Sequence, residues 1–293
     1  MKFALHFANT TFPDSKRAKA LAEAAEAAGF ESLITVEHVV WPQDYVSTYP
    51  YSPTGRLAGG PETLMPDPLI WMAHVGAVTS RLRFLSGILI LPQRNPVVLA
   101  KEIATLDYLT EGRISLGIGV GWLKEEFAAL GIPFERRGAR TDEYMAAMRA
   151  LWSGDNVSFH GEFVNFDGVS CNPKPPGGRV PFVIGGHSEA AARRAGRIGD
   201  GFFPATGAQV DTAPLIDLMR RTAEEAGRDP AAIELTTGCP GALPGSGTDP
   251  LEAVQEAAAR GIDRVALPLT PFLQGLDEKL AEFGETVIAK INA

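Results

Sequence analysis

The chain has 293 residues, a formal net charge of −8 and a pI of about 5.2. Hydrophobic residues make up 45%, enough for a sizeable core in one large domain or two ordinary ones. The acidic balance argues against nucleic acid or an anionic membrane as a partner. The two cysteines, Cys171 and Cys239, are far apart, which argues against a disulfide framework and a zinc site.

The N-terminal stretch MKFALHFANTTFPDSKR is typical of a strand followed by a turn. Its apolar run is short and is broken by His6 and Asn9, so we do not interpret it as a signal peptide. No stretch of the sequence approaches the roughly 20 apolar residues that a membrane span needs. We therefore expect a cytoplasmic protein without a membrane partner.

Strand-like and helix-like segments alternate along the whole chain. The predicted strands are Phe3–Phe7, Ser32–Val36, Leu82–Leu91, Arg113–Ile118, Phe182–Ile184, Gly201–Phe203, Ile233–Gly238 and Arg264–Leu267. The predicted helices are Ser15–Ala28, Asp67–Ser80, Pro96–Leu109, Lys124–Ala129, Thr141–Trp152, Glu189–Ile198, Thr212–Ala226, Pro250–Arg260 and Leu276–Ile291. Eight βα units over this length predict a single (β/α)8 TIM barrel spanning residues 1–293, with a doubly wound sheet as the alternative.

Two insertions interrupt this rhythm. Pro42–Pro66 follows the second predicted strand, on the face where barrel active sites form, so we interpret it as a lid; an oligomer contact is the alternative. Asn156–Arg179 precedes the fifth predicted strand, and its segment VSFHGEFVNF alternates and turns at Gly161, which predicts a β-hairpin.

The second predicted strand ends in Glu37 and His38, with Trp41 three residues later. Side chains at the carboxyl end of a barrel strand face the pocket, and an imidazole there exchanges a proton near neutral pH. The alternative is a histidine that is satisfied within the structure.

Glycines mark two further strand ends. The spacing of GIGVG, residues 117–121, does not match the dinucleotide-binding fingerprint. The missing side chains would still allow a flat ligand to approach the backbone. Tight packing or a bulge at the strand end is the alternative. Gly185 and Gly186 are followed by Ser188, which is placed to cap the next helix. The free backbone N–H groups and the dipole of that helix would form an anion pocket suited to a phosphate. An ordinary turn is the alternative. P-loop, H-E-x-x-H and G-x-S-x-G motifs are absent from the sequence.

Together these segments resemble the luciferase-like monooxygenase superfamily, barrels that use a flavin or a deazaflavin. The resemblance covers nearly the whole chain and is most specific in LPQRNPVVLAKEIATLDYLTEGRISLGIGVGW, residues 91–122, and IGGHSEAAARRAGRIGDGF, residues 184–202. Residues 119–152 look like the branch commonly assigned to coenzyme F420.

The resemblance implies a role for each matching position. Glu37, His38 and Trp41 match an acid, a proton-handling histidine and a tryptophan beside the deazaflavin ring, although the acid is commonly Asp. A non-proline cis peptide behind the ring is implied at Gly87–Ile88. The remaining implied cofactor contacts are Gly119, Val120, Gly121 and Glu125 near the ring, and Gly185, Gly186, Ser188 and Arg113 near the phosphate.

The sequence departs from the pattern of a sugar-phosphate dehydrogenase of the superfamily. Trp122 and Glu125 stand where that enzyme has an acid and an amide, which puts the sugar-phosphate substrate in doubt. The Gly185-Gly186 turn is also longer before its helix, by about two residues around His187 and Ser188, which puts individual phosphate contacts in doubt.

These observations lead to one preferred hypothesis and two alternatives. We expect an F420-dependent oxidoreductase that moves a hydride between the deazaflavin and a small organic substrate, working as a homodimer. The first alternative is an FMN-dependent monooxygenase of the same fold, and the second is a non-catalytic flavin-binding barrel.

Overall fold

The computed structural model describes residues 1–204 and 211–293. Within these residues, parallel strands close into a ring in which β3 pairs with both β2 and β5 and β1 pairs with β11. The strands are β1 (Lys2–His6), β2 (Ser32–Thr35), β3 (Arg83–Ser86), β4 (Leu89–Ile90), β5 (Ile114–Gly119), β6 (Val157–His160), β7 (Asn165–Val169), β8 (Phe182–Gly185), β9 (Gly201–Phe203), β10 (Glu234–Gly238) and β11 (Arg264–Pro268). The predicted (β/α)8 barrel is confirmed.

Helices follow the strands and surround the ring. They are α1 (Ala8–Thr11), α2 (Ser15–Ala27), α3 (Pro68–Gly76), α4 (Pro96–Leu109), α5 (Lys124–Ala129), α6 (Arg137–Ser153), α7 (Glu189–Ile198), α8 (Ala213–Glu225), α9 (Pro250–Ala259), α10 (Leu276–Phe283) and α11 (Ala289–Ile291). Side-chain caps set several helix starts, because Asp67, Asn95 and Ser188 each accept a backbone N–H of the first turn. Among the described residues, none of these helices has the length and apolar composition of a membrane span.

The third barrel strand differs from its prediction as one continuous strand. It is divided into β3 and β4 by a cis peptide bond at Gly87–Ile88, as the family resemblance implied. The Gly87 N–H still donates to the Thr35 carbonyl at 2.6 Å, which keeps the chain attached to β2 at the break. The break gives the barrel wall a bulge at its carboxyl end.

Two layers of apolar side chains form the core. Inside the ring, six strands each contribute one buried residue to a small cluster: Ala4, Ile34, Leu85, Val183, Phe203 and Ala266. A larger cluster fills the space between the outer faces of the strands and the helices, and includes Trp152 and Phe182. The barrel interior is therefore packed, as in other barrels of this class. A ligand must bind at the mouth of the barrel, which is the opening at the carboxyl ends of the strands.

Both insertions lie where the sequence predicted them. β6 and β7 pair as the antiparallel hairpin, with Gly161 in the turn. The first insertion leaves after β2 and returns at α3, and the buried Asn9 side chain donates to the carbonyls of both Val36 and Pro66. Asn9 thereby ties the two ends of the insertion to the carboxyl end of the barrel.

Candidate functional site at the carboxyl end of the barrel

A histidine and a buried glutamate meet where β2 ends. The Nδ1 of His38 lies 3.0 Å from Oε2 of Glu126, whose side chain is fully buried at the start of α5. The other oxygen of Glu126 accepts a hydrogen bond from the Val39 N–H at 2.6 Å, and Oε2 also accepts one from Nε2 of Gln93 at 3.0 Å. Burial opposes ionisation of Glu126, but these hydrogen bonds outweigh it and lower the pKa of the carboxyl. A buried carboxylate therefore holds His38 at the barrel mouth.

Sequence reasoning missed Glu126 and selected its neighbour Glu125. The signal was present in the spacing, since Leu123, Glu126 and Phe127 follow each other at helical intervals. All three are buried, so Glu126 lies on the inward face of the helix while Glu125 does not.

Glu37 supports the neighbouring strand instead of standing open at the pocket. It is 6% exposed. Its Oε2 accepts a hydrogen bond from the Ile90 N–H at 2.6 Å, and its Oε1 accepts hydrogen bonds from the guanidinium of Arg94. Arg94 also donates to Asp67 at 2.7 Å. Burial raises the pKa of Glu37, and Arg94 opposes that rise. Glu37 therefore forms a buried ion pair that holds the exit of the third strand, and its predicted role beside the ring stays a prediction.

Glu125 holds the first insertion in place. Its Oε1 accepts the backbone N–H groups of Val46 at 2.7 Å and Ser47 at 3.1 Å, and Oε2 accepts the Ser47 hydroxyl at 2.7 Å. Partial burial opposes ionisation, yet these bonds lower its pKa to about 2. Glu125 is therefore an anchor for the loop, and its predicted contact with a cofactor stays a prediction.

Aromatic side chains of the first insertion lie across the mouth. Trp122 meets the His38 ring edge-on at 5.7 Å between centroids, and Tyr49 packs on Trp122 at 5.1 Å. Tyr49 then contacts Tyr51, and Tyr51 contacts His187 at 4.6 Å. Burial raises the pKa of Tyr49 to about 12, so its hydroxyl stays neutral. The row links the end of β2 to the turn after β8.

Trp41 takes no part in this aromatic row. It is half-buried and makes no stacking contact with an aromatic residue in the described part of the chain. Trp122 provides the aromatic wall beside His38 instead, reinforced by the buried Tyr45 at 5.5 Å.

Two glycines at the strand ends make room for a side chain of the protein, Ile88. A Cβ at Gly119 would lie 2.2 Å from Cδ1 of Ile88, and a Cβ at Gly185 would lie 2.2 Å from its Cγ2. Ile88, carried inward by the bulge, thus occupies the gap that both glycines leave. This contact fits the tight-packing alternative for Gly119, and direct approach of a ligand there stays a prediction.

The last glycine of GIGVG has a different reason. Gly121 adopts a φ of 77°, and a Cβ there would lie 2.7 Å from Phe127 and 2.8 Å from Ile90. The turn from β5 into α5 therefore requires glycine, while Val120 beside it stays half-buried at the mouth.

The turn after β8 forms the second half of the mouth. Gly186 has a φ of 122°, and a Cβ there would point between Ala191 at 3.3 Å and the Tyr51 hydroxyl at 3.9 Å. Ser188 caps α7 by accepting the Ala191 N–H. The first-turn N–H groups of α7 and its dipole are suited to an anion, although the Gly186 N–H already donates to the Phe203 carbonyl at 3.3 Å.

Arg113 lies at the opposite end of the barrel, which corrects its predicted place near a phosphate. It directly precedes β5, and its guanidinium donates to the carbonyls of Gly76, Leu82 and Thr110 at 2.7–2.9 Å. Sequence reasoning placed it from the family motif without deciding to which end of the strand its side chain belongs.

A family model of luciferase-like monooxygenases matches residues 3–286. The chain belongs to the luciferase-like monooxygenase family. Its candidate site lies at the carboxyl ends of the strands, where the active sites of barrel enzymes form.

Sequence relatives of this family member differ in cofactor. An uncharacterised Mycobacterium tuberculosis protein is 34% identical over 278 residues, covering 92% of this chain and 94% of the relative. An F420-dependent glucose-6-phosphate dehydrogenase from Rhodococcus jostii is 39% identical over 176 residues, covering 58% of this chain and 52% of that enzyme. An FMNH2-dependent dimethylsulfone monooxygenase from Pseudomonas fluorescens is 34% identical over 186 residues, covering 62% and 46%.

Solved structures share the fold of this family member at low sequence identity. The F420-dependent tetrahydromethanopterin reductase of Methanopyrus kandleri has a TM-score of 0.74 at 17% identity and covers 99% of each chain. A type II Baeyer–Villiger monooxygenase of Pseudomonas putida, solved with FMN, has a TM-score of 0.73 at 17% identity, covering 99% of this chain and 98% of that one. At this identity the likeness establishes the barrel fold alone.

The mouth has polar atoms that fit a flavin or deazaflavin. Oε1 of Gln93 and Nδ1 of His187 are buried and have no hydrogen-bond partner among the described residues. An isoalloxazine-type ring offers N–H donors and its tail offers phosphate acceptors, so both kinds of orphaned atom would gain partners.

Proposed function

We propose that the protein is an F420-dependent oxidoreductase that transfers a hydride between the deazaflavin and a small organic substrate. The observation that carries the proposal is His38, held through Nδ1 by the buried Glu126 at the carboxyl end of β2. Hydride transfer to or from a carbonyl carbon needs a partner for the proton, and an imidazole at the mouth can supply or accept it.

Each half of the mouth has a different task in this function. The first turn of α7 with Ser188 and His187 would hold the phosphate, and Ile88 would support the ring between Gly119 and Gly185. When bound, the deazaflavin supplies the two-electron chemistry, while the protein supplies orientation and electrostatics.

The first insertion would act as the lid of this site. Trp122, Tyr45 and Tyr49 pack together beside His38, and Glu125 anchors the loop that brings the tyrosines there. Their apolar faces would keep bulk water from His38 and shape the space for the substrate.

An FMN-dependent monooxygenase is the second candidate. It is supported by the FMNH2-dependent relative, which is 34% identical to this chain over 186 residues. A non-catalytic flavin-binding barrel is a weaker third candidate, because such a protein has no need for a histidine held by a buried carboxylate.

Titration of the purified protein with F420 and with FMN, followed by fluorescence or calorimetry, tests the choice. We expect F420 to bind at least tenfold more tightly, a difference of about 1.4 kcal/mol. Equal affinities, or FMN retained through purification, would favour the monooxygenase. The reaction itself is then sought by screening sugar phosphates, alcohols and enones for oxidation or reduction of the bound cofactor.

Two expectations from the sequence are independent of the cofactor. The homodimer and the cytoplasmic location stay predictions. Light scattering on the purified protein tests the first, and fractionation of the cells that produce it tests the second.

A further inference from the structure

We propose that Glu126 is the positioning residue for His38, which makes Nε2 the ring nitrogen that exchanges a proton at the mouth. The inference rests on the proposed function for the identity of the reaction, but the geometry and its main test concern this chain alone. The family resemblance described above gives Glu126 no role.

The chemistry of the acceptor determines the state of the ring. A carboxylate only accepts hydrogen bonds, so the His38 nitrogen at 3.0 Å from Oε2 must carry the proton in that contact. In the neutral ring Nε2 is then the basic nitrogen. Nε2 makes no hydrogen bond to any described residue, and the His38 side chain keeps 10% of its surface exposed.

Glu126 is itself held in place from both sides. Its Oε1 accepts the Val39 N–H, which belongs to the residue after His38, and Oε2 is shared between His38 and Gln93. The edge of the Trp122 ring system meets the imidazole at 84°, which limits rotation about the remaining side-chain bond. A fixed ring orientation is what proton exchange with a bound substrate requires.

Gln93 offers a way for a neutral replacement of Glu126 to fold. Its amide must point Nε2 at the carboxylate, which leaves Oε1 buried without a partner among the described residues. In Glu126→Gln the Gln93 amide can turn and accept an N–H from the new side chain, so the pocket keeps its hydrogen bonds. The new amide can also donate to Nδ1 of His38, which would move the ring proton to Nε2.

The test is the tautomer of His38, read from the imidazole nitrogen chemical shifts of labelled protein without cofactor. His38→Ala assigns the signals. We expect the parent protein and Glu125→Gln to carry the proton on Nδ1, and Glu126→Gln to carry it on Nε2. Glu125→Gln is the matched control, because the neighbouring carboxylate binds the loop and not the histidine.

Turnover supplies a second readout once a substrate is known. Glu126→Gln should lower kcat by about 10²-fold with little change in KM, because the wrong tautomer presents a donor where a base is needed. Glu126→Asp, which keeps an acceptor, should retain the parent tautomer and part of the activity. If Glu126→Gln does not fold, the tautomer of the parent protein still decides the question, because the inference requires the proton on Nδ1.

The inference would be overturned if the parent protein carried the proton on Nε2. It would also be overturned if a folded Glu126→Gln variant kept the parent tautomer and the parent kcat. Failure of F420 to bind, with the tautomer change intact, would overturn the proposed function and leave the positioning role standing.

Discussion

The two ends of the barrel differ in whether their buried polar groups have hydrogen-bond partners. At the amino end, Arg264 is 3% exposed and bonds to Glu31 through two nitrogens at 3.1 Å, and also to Glu234. Arg113 at the same end bonds to three carbonyls. At the carboxyl end, by contrast, Gln93 and His187 keep buried atoms without partners among the described residues.

Orphaned buried atoms are costly, roughly 1–3 kcal/mol each, so their distribution has a meaning. Of the four such side-chain atoms in the described residues, those of Thr35, Gln93 and His187 lie at the carboxyl ends of strands, and only that of Ser32 lies at an amino end. We therefore expect the amino end to serve stability and the carboxyl end to keep polar capacity for a ligand. Four predictions test this division.

The largest effect is expected at His38. His38→Ala should lower turnover by about 10²–10⁴-fold while cofactor affinity changes much less, because the phosphate contacts lie in the other half of the mouth. Steady-state kinetics and a cofactor titration measure the two quantities. His160→Ala, in the exposed hairpin, is the control and should behave as the parent. A His38→Ala variant with parent turnover would make His38 a structural residue.

At the amino end the corresponding change should act on stability instead. Arg264→Met leaves Glu31 and Glu234 without their buried partner and should lower the free energy of unfolding by about 3 kcal/mol. Urea unfolding measures it, and cofactor affinity of the folded variant should stay at the parent value. Arg83→Met removes a more exposed partner of Glu31 and should cost at most about 1 kcal/mol. Equal losses in both variants would contradict the special role of Arg264.

The anion site needs two variants at one position. Any side chain at Gly186 strains the backbone, since its φ is 122°, so Gly186→Ala measures that strain and Gly186→Asp adds the charge. We expect the Asp variant to bind the cofactor at least tenfold more weakly than the Ala variant, about 1.4 kcal/mol. Equal affinities in two folded variants would show that Gly185-Gly186 is only a turn.

The smallest effect concerns the loop anchor and depends on pH. The pKa of Glu125 is lowered from 4.5 to about 2, so its contribution to loop anchoring is complete above about pH 4.5 and is lost as the pH falls towards 2. Hydrogen exchange of the Val46 and Ser47 amides should accelerate relative to the intrinsic rate over this window. In Glu125→Gln the same amides should show no such step. A step that persists in this variant would assign the effect to another group.

The sequence predicted the elements of the barrel well because their signals are local. Apolar periodicity located the strands, and caps such as Asp67 and Ser188 located helix starts within a residue or so. One long strand was predicted where two short ones stand, because the break at Gly87–Ile88 came only from the family resemblance and not from periodicity.

The candidate site was predicted less completely, because its contacts join residues that are distant in the chain. His38 and Glu126 are 88 positions apart, and Glu37 meets the Ile90 N–H across 53 positions. The sequence places two adjacent glutamates at the start of α5, and only packing decides that one bonds to the histidine and the other to the loop.

By itself, then, the sequence determined the strand and helix order, the two insertions, the family and the presence of a histidine at the end of β2. The tertiary structure decided which atoms that histidine meets, to which end of the barrel Arg113 belongs, and that Ile88 fills the gap left by Gly119 and Gly185. The reason is physical: periodicity and capping depend on neighbours within a few residues, whereas burial and pairing depend on closure of the ring, which brings distant segments together.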